Sequence, residues 1–351
     1  MPSKAPTLQT IADRAGVSKN TVSCALRADP RIPKKTQERI RQIANEVGYR
    51  PNPMVAALMQ SLRQAHPVAK SANLGFVHCL DGPDEWRSRS YYLQLFQEAE
   101  ARANEQGYNL TPIWAGDPEM TPERFTGVLR SRGVLGLVIG PVSTYKRLPV
   151  EWQHFASAAL GVSLKEPLLH RAATFFAHTI PRAWSELRTL GYRHIGVIFS
   201  SRDNLRVDYA LEAGCAIQRS QLPKGEILPI LRRESLTQEE LNDWLLENQV
   251  DAIISAYAHH IVSLLENSGR RVPEDIGLVA LLSEWEELPG AFIRRDWAAI
   301  GSATVDLVIG QLLRNERGIP KKPKTVLIEG EWDPGNLVPL ETASSQGNSA
   351  P

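Results

Sequence analysis

The chain has 351 residues, of which 42% are hydrophobic, 23% charged and 7% aromatic, and its formal net charge is +1. That length suggests two or three domains with a real core, and the ordinary composition excludes a collagen-like or disordered chain. No run approaches the roughly 18 apolar residues of a bilayer span, and the start Met1-Pro-Ser-Lys-Ala-Pro lacks the apolar region of a secretory signal.

The near-zero charge is a cancellation. Residues 1–70 hold 12 Lys/Arg against 4 Asp/Glu, a balance of +8, while the other 281 residues hold 28 against 35, a balance of −7. A basic head on an acidic body is the asymmetry expected of a polyanion-binding module joined to another domain. Three scattered cysteines, Cys24, Cys79 and Cys215, form neither a disulfide framework nor a CxxC metal site, so reduced thiols in a cytoplasmic protein are expected.

In chain order, Leu8, Ile11, Ala12 and Ala15 share one helical face, with Thr7 ahead as an N-cap. Gly16 breaks that helix where a tight turn favours positive φ. Ser18 opens a second helix, Lys19 to Leu26, with Val22, Ala25 and Leu26 inward, and Asp29-Pro30 ends it. A third helix is predicted from about Lys34 to Val47, carrying Ile40, Ile43 and Ala44, and stops at Gly48. Three short helices with a glycine turn between the first two form a helix-turn-helix, whose second helix enters the major groove.

At the start of that second helix Ser18, Lys19, Asn20, Thr21, Ser23 and Cys24 are expected to point outward. Ser18, Thr21 and Ser23 suit phosphate contact, and Lys19 and Asn20 suit purine edges. Leu8, Arg27, Arg31 and Thr36 complete the DNA-contacting set predicted within the three helices. A small protein-binding three-helix module is the alternative reading. Beyond it, Asn52-Pro53 is a strong helix start, and Met54, Leu58 and Leu62 lie on one stripe of a helix barely three turns long. Such a helix needs a partner, its symmetry mate or DNA.

The stretch Thr7-Leu-Gln-Thr-Ile-Ala-Asp-Arg-Ala-Gly-Val-Ser-Lys-Asn-Thr-Val-Ser, followed by Gly48-Tyr-Arg-Pro-Asn, resembles the headpiece of lac-repressor-type (LacI/GalR) transcriptional regulators. The resemblance implies that Lys19 and Asn20 read operator bases, that Tyr49 and Asn52 touch backbone or groove edge, and that Leu58 wedges between central base pairs from the minor groove, a mode that kinks the duplex. Two departures stand out: Cys24 replaces a frequent base-reading arginine, and Pro33 replaces the usual Ser cap of the third helix.

The body alternates strands and helices. Predicted elements are a strand Asn73–Cys79, helix Tyr91–Gln106, strand Tyr108–Trp114, helix Thr121–Arg132 and strand Val134–Gly140. There follow helix Phe176–Leu190, strand His194–Phe199, a helix Arg206–Ser220, strand Glu226–Ile230, helix Gln238–Asn248 and strand Asp251–Ser255. Helix Ile261–Ser268, strand Ile276–Leu282, helix Ala299–Arg314 and strand Lys324–Glu329 close the set. Repeated βα units imply doubly wound sheets, with ligands outside the carboxyl ends of the strands.

The expected fold is therefore an all-α helix-turn-helix headpiece plus hinge helix, followed by an α/β two-lobed domain like periplasmic binding proteins of type I. The expected divisions are residues 1–50 for the headpiece, 51–70 for hinge helix and linker, 71–340 for the effector-binding and dimerisation domain, and 341–351 for a polar tail without heptad leucines. The resemblance places interlobe crossovers near residues 165, 295 and 325.

Four polar anchors that sugar-binding relatives use are altered. Phe175-Phe176, Leu211, Tyr257-Ala258 and Leu282-Ser283 stand where Asp or Asn, Arg, Asn-Asp and an Asp pair are usual. A site built for hydroxyls depends on such groups, so the ligand is bound differently or the cleft no longer senses the usual small sugar. Candidate effector contacts are Trp86, Tyr91, Tyr92, Phe175, Arg206, Tyr257, Arg294, Arg295 and Asp296, aromatic faces and charges that suit a carbohydrate ring or an anion. Trp184, Trp244 and Trp332 read as core.

Catalysis finds little support: His259-His260 lacks a third metal ligand, and no GxSxG, HExxH or Walker sequence occurs. No cofactor is expected. The sequence reads as a DNA-binding regulator, a repressor and homodimer on a palindromic operator, responding to a small molecule. Two alternatives stay open, a regulator without an effector and a solute-binding sensor with a basic head.

Overall fold

The computed structural model describes residues 6–26, 29, 31–49, 72–142, 147–223, 226–256, 258–282 and 288–337. The Asn52-Pro53 helix start, Leu58, Arg27, Tyr257 and the 341–351 tail lie outside the described residues.

In the head, α1 (Leu8–Ala15), α2 (Lys19–Leu26) and α3 (Lys34–Glu46) close on Ile11, Ala12, Ala15, Val22, Ala25, Ile40 and Ala44. Thr7 caps α1 reciprocally with Thr10, and Gly16 at φ +65° ends it. That left-handed conformation is cheap for glycine alone, and it sets the turn into α2. Ser18 Oγ accepts from the Thr21 amide at 3.0 Å, opening α2 where the sequence places it. At α3 Pro33 makes no side-chain cap.

The first lobe contains β1 (Ala72–His78), α4 (Ser90–Glu105), β2 (Tyr108–Trp114), α5 (Pro122–Ser131), β3 (Val134–Ile139), β4 (Ala156–Leu160) and β5 (His170–Thr174). The second contains α6 (Phe176–Thr189), β6 (Ile195–Phe199), α7 (Ser201–Arg206), α8 (Ala210–Gln221), β7 (Ile230–Arg232), α9 (Gln238–Glu247), β8 (Ala252–Ser255), α10 (Ala258–Asn267), β9 (Gly277–Ala280) and β10 (Ala291–Arg294). The chain then returns through α11 (Trp297–Arg314) and β11 (Thr325–Ile328) and adds β12 (Glu331–Asp333) to the second sheet.

The strands form two sheets, ordered β11-β5-β4-β3-β1-β2 and β12-β10-β9-β8-β6-β7. All pairings are parallel except β10 with β12. Apolar layers cover both faces of each sheet, as parallel sheets require. Helix α11 packs on the first sheet, and its buried Gln311 accepts from the Ser157 amide at 3.3 Å and donates to the Ser157 carbonyl at 3.0 Å, satisfying polar backbone that α11 covers.

Three crossovers join the lobes, at β5 to α6, β10 to α11 and β11 to β12. The second and third fall where the resemblance places them. The first lies near residue 175 and not 165, because the chain adds β5 to the first sheet before leaving it. The predicted single helix Arg206–Ser220 is two helices, broken where Asp208 and Tyr209 adopt φ +58° and +63°. Trp184 and Trp244 are buried and Trp332 packs on the second-lobe core, as expected.

Candidate functional sites: a helix-turn-helix face and an interlobe cleft

On the head, Ser18, Lys19 and Asn20 are exposed, and Thr21 and Ser23 are half-buried along the same helix. The structure thus presents the predicted polar face of α2 with Lys19 and Asn20 at its leading end. Cys24 does not belong to that face. It is 7% exposed, because its position on the 3.6-residue turn falls beside Val22 and Ala25.

Leu8 is half-buried against the head core and Tyr49 packs on the same core. Thr36 is half-buried in the first turn of α3. Arg31 is exposed, yet its guanidinium grips Asp29 at 2.7 and 3.0 Å, so it braces the turn between α2 and α3. That guanidinium, with the Arg31 amide, holds the Asp29 carboxyl far below the usual carboxylate range.

In the body, a cavity of about 670 Å³, open solvent at its mouth included, lies between the lobes. The first lobe supplies Tyr91, Pro141, Gly161 and Ser163, the second Phe176, Arg206 and Leu282, and the crossover Arg295, Trp297 and Ile300. Tyr91 and Trp297 rings sit 6.4 Å apart, and the Arg295 guanidinium lies 4.2 Å from the Trp297 ring centre, also donating to the Leu282 carbonyl at 3.2 Å. Aromatic faces and two guanidinium groups thus share one cleft at the carboxyl ends of the strands, the place such folds reserve for ligands.

Of the residues expected to contact an effector, Tyr91, Arg206 and Arg295 line this cleft. Trp86 and Tyr92 do not: they are 2% and 1% exposed, packed with Phe76 and Phe96. The Tyr92 hydroxyl donates to the Pro141 carbonyl, and burial pushes the phenol's pKa well up. Arg294 pairs with Asp333 on the β10–β12 edge, and Asp296 caps α11 by accepting from the Ala299 amide at 2.8 Å. Phe175 lines a neighbouring cavity and stacks on His178. Leu211 is buried in the second-lobe core and does not reach the cleft, whereas Phe176 and Leu282 do. Sequence reasoning missed Trp297, whose signal was its place two residues past Arg295 at a helix start. Among the described residues no group of His, Cys, Asp or Glu gathers to hold a metal ion, and no helix is long and apolar enough to cross a membrane.

The family model for bacterial regulatory proteins of the lacI family matches residues 7–52, the span of the three helices and the chain beyond them. An HTH-type transcriptional regulator of Lachnoclostridium phytofermentans is 22% identical over 282 residues, covering 77% of this chain and 80% of that protein. Residues 7–52 thus carry the head of that family. The chain as a whole has the fold of a transcriptional regulator CelR–cellobiose complex, with a TM-score of 0.56 and 19% identity over 93% of this chain and 98% of that one. A lac repressor dimer bound to operator and the anti-inducer ONPF gives a TM-score of 0.53 and 19% identity, over 95% and 100%. Head and body together resemble those of lacI-type DNA-binding transcriptional regulators that carry a ligand-binding domain.

Proposed function

We propose that this chain is a lacI-type, cytoplasmic, homodimeric repressor whose hold on a roughly palindromic operator changes when a small carbohydrate-derived molecule fills the interlobe cleft. The observation that carries this reading is the cleft itself. Both lobes and a crossover line it, so any ligand there touches parts that move when the lobes rearrange. A ligand that binds one arrangement better shifts the population toward it, and affinity for DNA follows by linkage.

Tyr91 and Trp297 offer faces for a sugar ring, and Arg206 and Arg295 supply donors for oxygens in place of the usual polar anchors. The structural likeness to a cellobiose complex and to an operator-bound dimer supports the same reading. Lys19 and Asn20 would read base edges, Ser18, Thr21 and Ser23 would hold phosphates, and Leu58 of each chain would wedge at the operator centre.

The test is operator binding during titration with a panel of sugars, sugar acids and sugar phosphates. At least one should change the operator Kd tenfold or more, and Tyr91→Ala should abolish its effect. No change across the panel would overturn the effector reading. Leu58→Ala should weaken operator binding far more than binding to random DNA, and equal losses would refute the wedge.

A further inference from the structure

Beside the cleft, beyond Thr174 and Phe176, lies a second cavity that holds one buried cation. It is bounded by β5, by β11 and by the start of α6, and encloses about 1010 Å³, open solvent included. Arg171 of β5 lines it and is only 6% exposed. Among the described residues its guanidinium has a single acceptor, the Leu164 carbonyl, 3.2 Å from Nη2, which leaves Nε and Nη1 unmatched. A buried guanidinium with five donors and one acceptor is costly unless something else completes it. Burial accordingly depresses its pKa.

The carboxylate nearest to hand is already taken. Asp208, also on the cavity wall, is exposed and engages Lys165 at 2.6 Å. The other wall is the opening turn of α6, where Phe176 and Ala177 line the cavity and Phe175 provides no side-chain cap. The His178 amide is taken by the Phe175 carbonyl, but the Phe176 and Ala177 amides have no side-chain cap, so the positive end of a 14-residue helix borders the space that Arg171 lines. Thr174, 4% exposed at the end of β5, adds a hydroxyl between this cavity and the cleft.

We propose that this cavity is an oxyanion site, in which Arg171 and the first turn of α6 bind a carboxylate or phosphate group. Its geometry does not depend on the cleft taking a sugar. The anion is either free or the charged end of a molecule whose body lies in the cleft, since Val162, Thr174, Phe176 and Val207 line both spaces. An anion there would join β5 of one lobe to α6 of the other at their first crossover.

The experiment is thermal unfolding and calorimetry of the full chain with inorganic phosphate, glucose 6-phosphate and glucose, at constant ionic strength in chloride. A phosphate-bearing probe should raise the wild-type Tm by about 3 °C or more, growing with the logarithm of concentration. Arg171→Met should lose that rise while keeping any response to glucose. Ala177→Glu, which carries its own carboxylate into the helix start, should fold and respond to neither phosphate. A response to inorganic phosphate that survives Tyr91→Ala identifies a free anion. A response to glucose 6-phosphate alone, lost in Tyr91→Ala and in Arg171→Met, identifies the charged end of a cleft ligand. Equal phosphate responses in wild type and Arg171→Met or Ala177→Glu, or no wild-type response to either phosphate, would overturn the proposal. A cleft that ignores every sugar in the operator assay, with the phosphate shift intact, would sink the effector reading alone.

Discussion

Lys165 and Asp208, the latter on the wall of the second cavity, tie the two lobes together, Nζ to Oδ1 at 2.6 Å. Lys165 sits between β4 and β5, and Asp208 in the left-handed turn that separates α7 from α8, so the pair spans a gap that rigid lobes would open or close. Partly exposed pairs of this kind contribute little to overall stability, about 1 kcal/mol or less. Their effect is larger on a balance between two lobe arrangements, where that same energy is a several-fold change in population.

Lys165→Met should therefore leave unfolding nearly unchanged while moving the half-maximal ligand concentration in the operator assay by about threefold or more. Identical dose–response curves for wild type and variant would show that the pair does not report on lobe closure.

Cys24 predicts insensitivity. Because the thiol is buried behind the recognition face, Cys24→Ala should keep the operator preference of the wild type at every base position, as read by selection from a random library. Cys24→Arg should instead destabilise the head, since it forces a charge into that small core. A changed preference in Cys24→Ala would place the side chain in the groove.

The head also carries a pH signature. Asp29 is held below its ordinary pKa by Arg31, so the ionised carboxylate stabilises the folded head above the unfolded value of about 4. That contribution is lost as pH falls below about 4 toward the folded value. Amide exchange of α1–α3 in the full chain should show Asp29→Asn less protected by a constant amount from pH 8 to 5, the gap closing at lower pH. A gap independent of pH throughout would assign the loss to packing.

The Gln311 amide tests the core of the first lobe. Gln311→Leu leaves the Ser157 amide and carbonyl without that partner beneath α11. Each buried, unmatched group costs about 1–3 kcal/mol, so denaturant unfolding should show a loss of that order or greater. Stability within 0.5 kcal/mol of wild type, about the scatter of surface changes, would mean that the backbone finds another partner.

How much was legible in the sequence follows from what each residue signals. The head was, because Thr7, Gly16 and Ser18 punctuate short amphipathic helices at fixed offsets. Strands β4, Ala-Ser-Ala-Ala-Leu, and β5, His-Arg-Ala-Ala-Thr, were not. They are buried on both faces, so they show no alternation, and alanine carries little strand preference. Without β5 in the sequence reading, nothing there corrected the crossover placed near residue 165, and Arg171 stayed hidden.

Within the cleft, Tyr91 and Tyr92 show the limit of reading adjacent aromatics. One step around α4 puts Tyr92 on the stripe of Leu95, Phe96 and Ala99, and leaves Tyr91 facing the ligand space. Composition marks both residues, and only the phase of the helix separates them.

The central claim, that α2 reads a specific DNA sequence through its leading residues, meets its most direct test in Asn20→Ala. Operator fragments selected with the wild-type chain should bind Asn20→Ala with about 10- to 100-fold lower affinity, the worth of a base-edge contact. Binding to random DNA should stay within twofold at the same salt, and the selected site should show two-fold symmetry. Equal loss on selected and random DNA, or no sequence enriched by the wild type at all, would contradict the account.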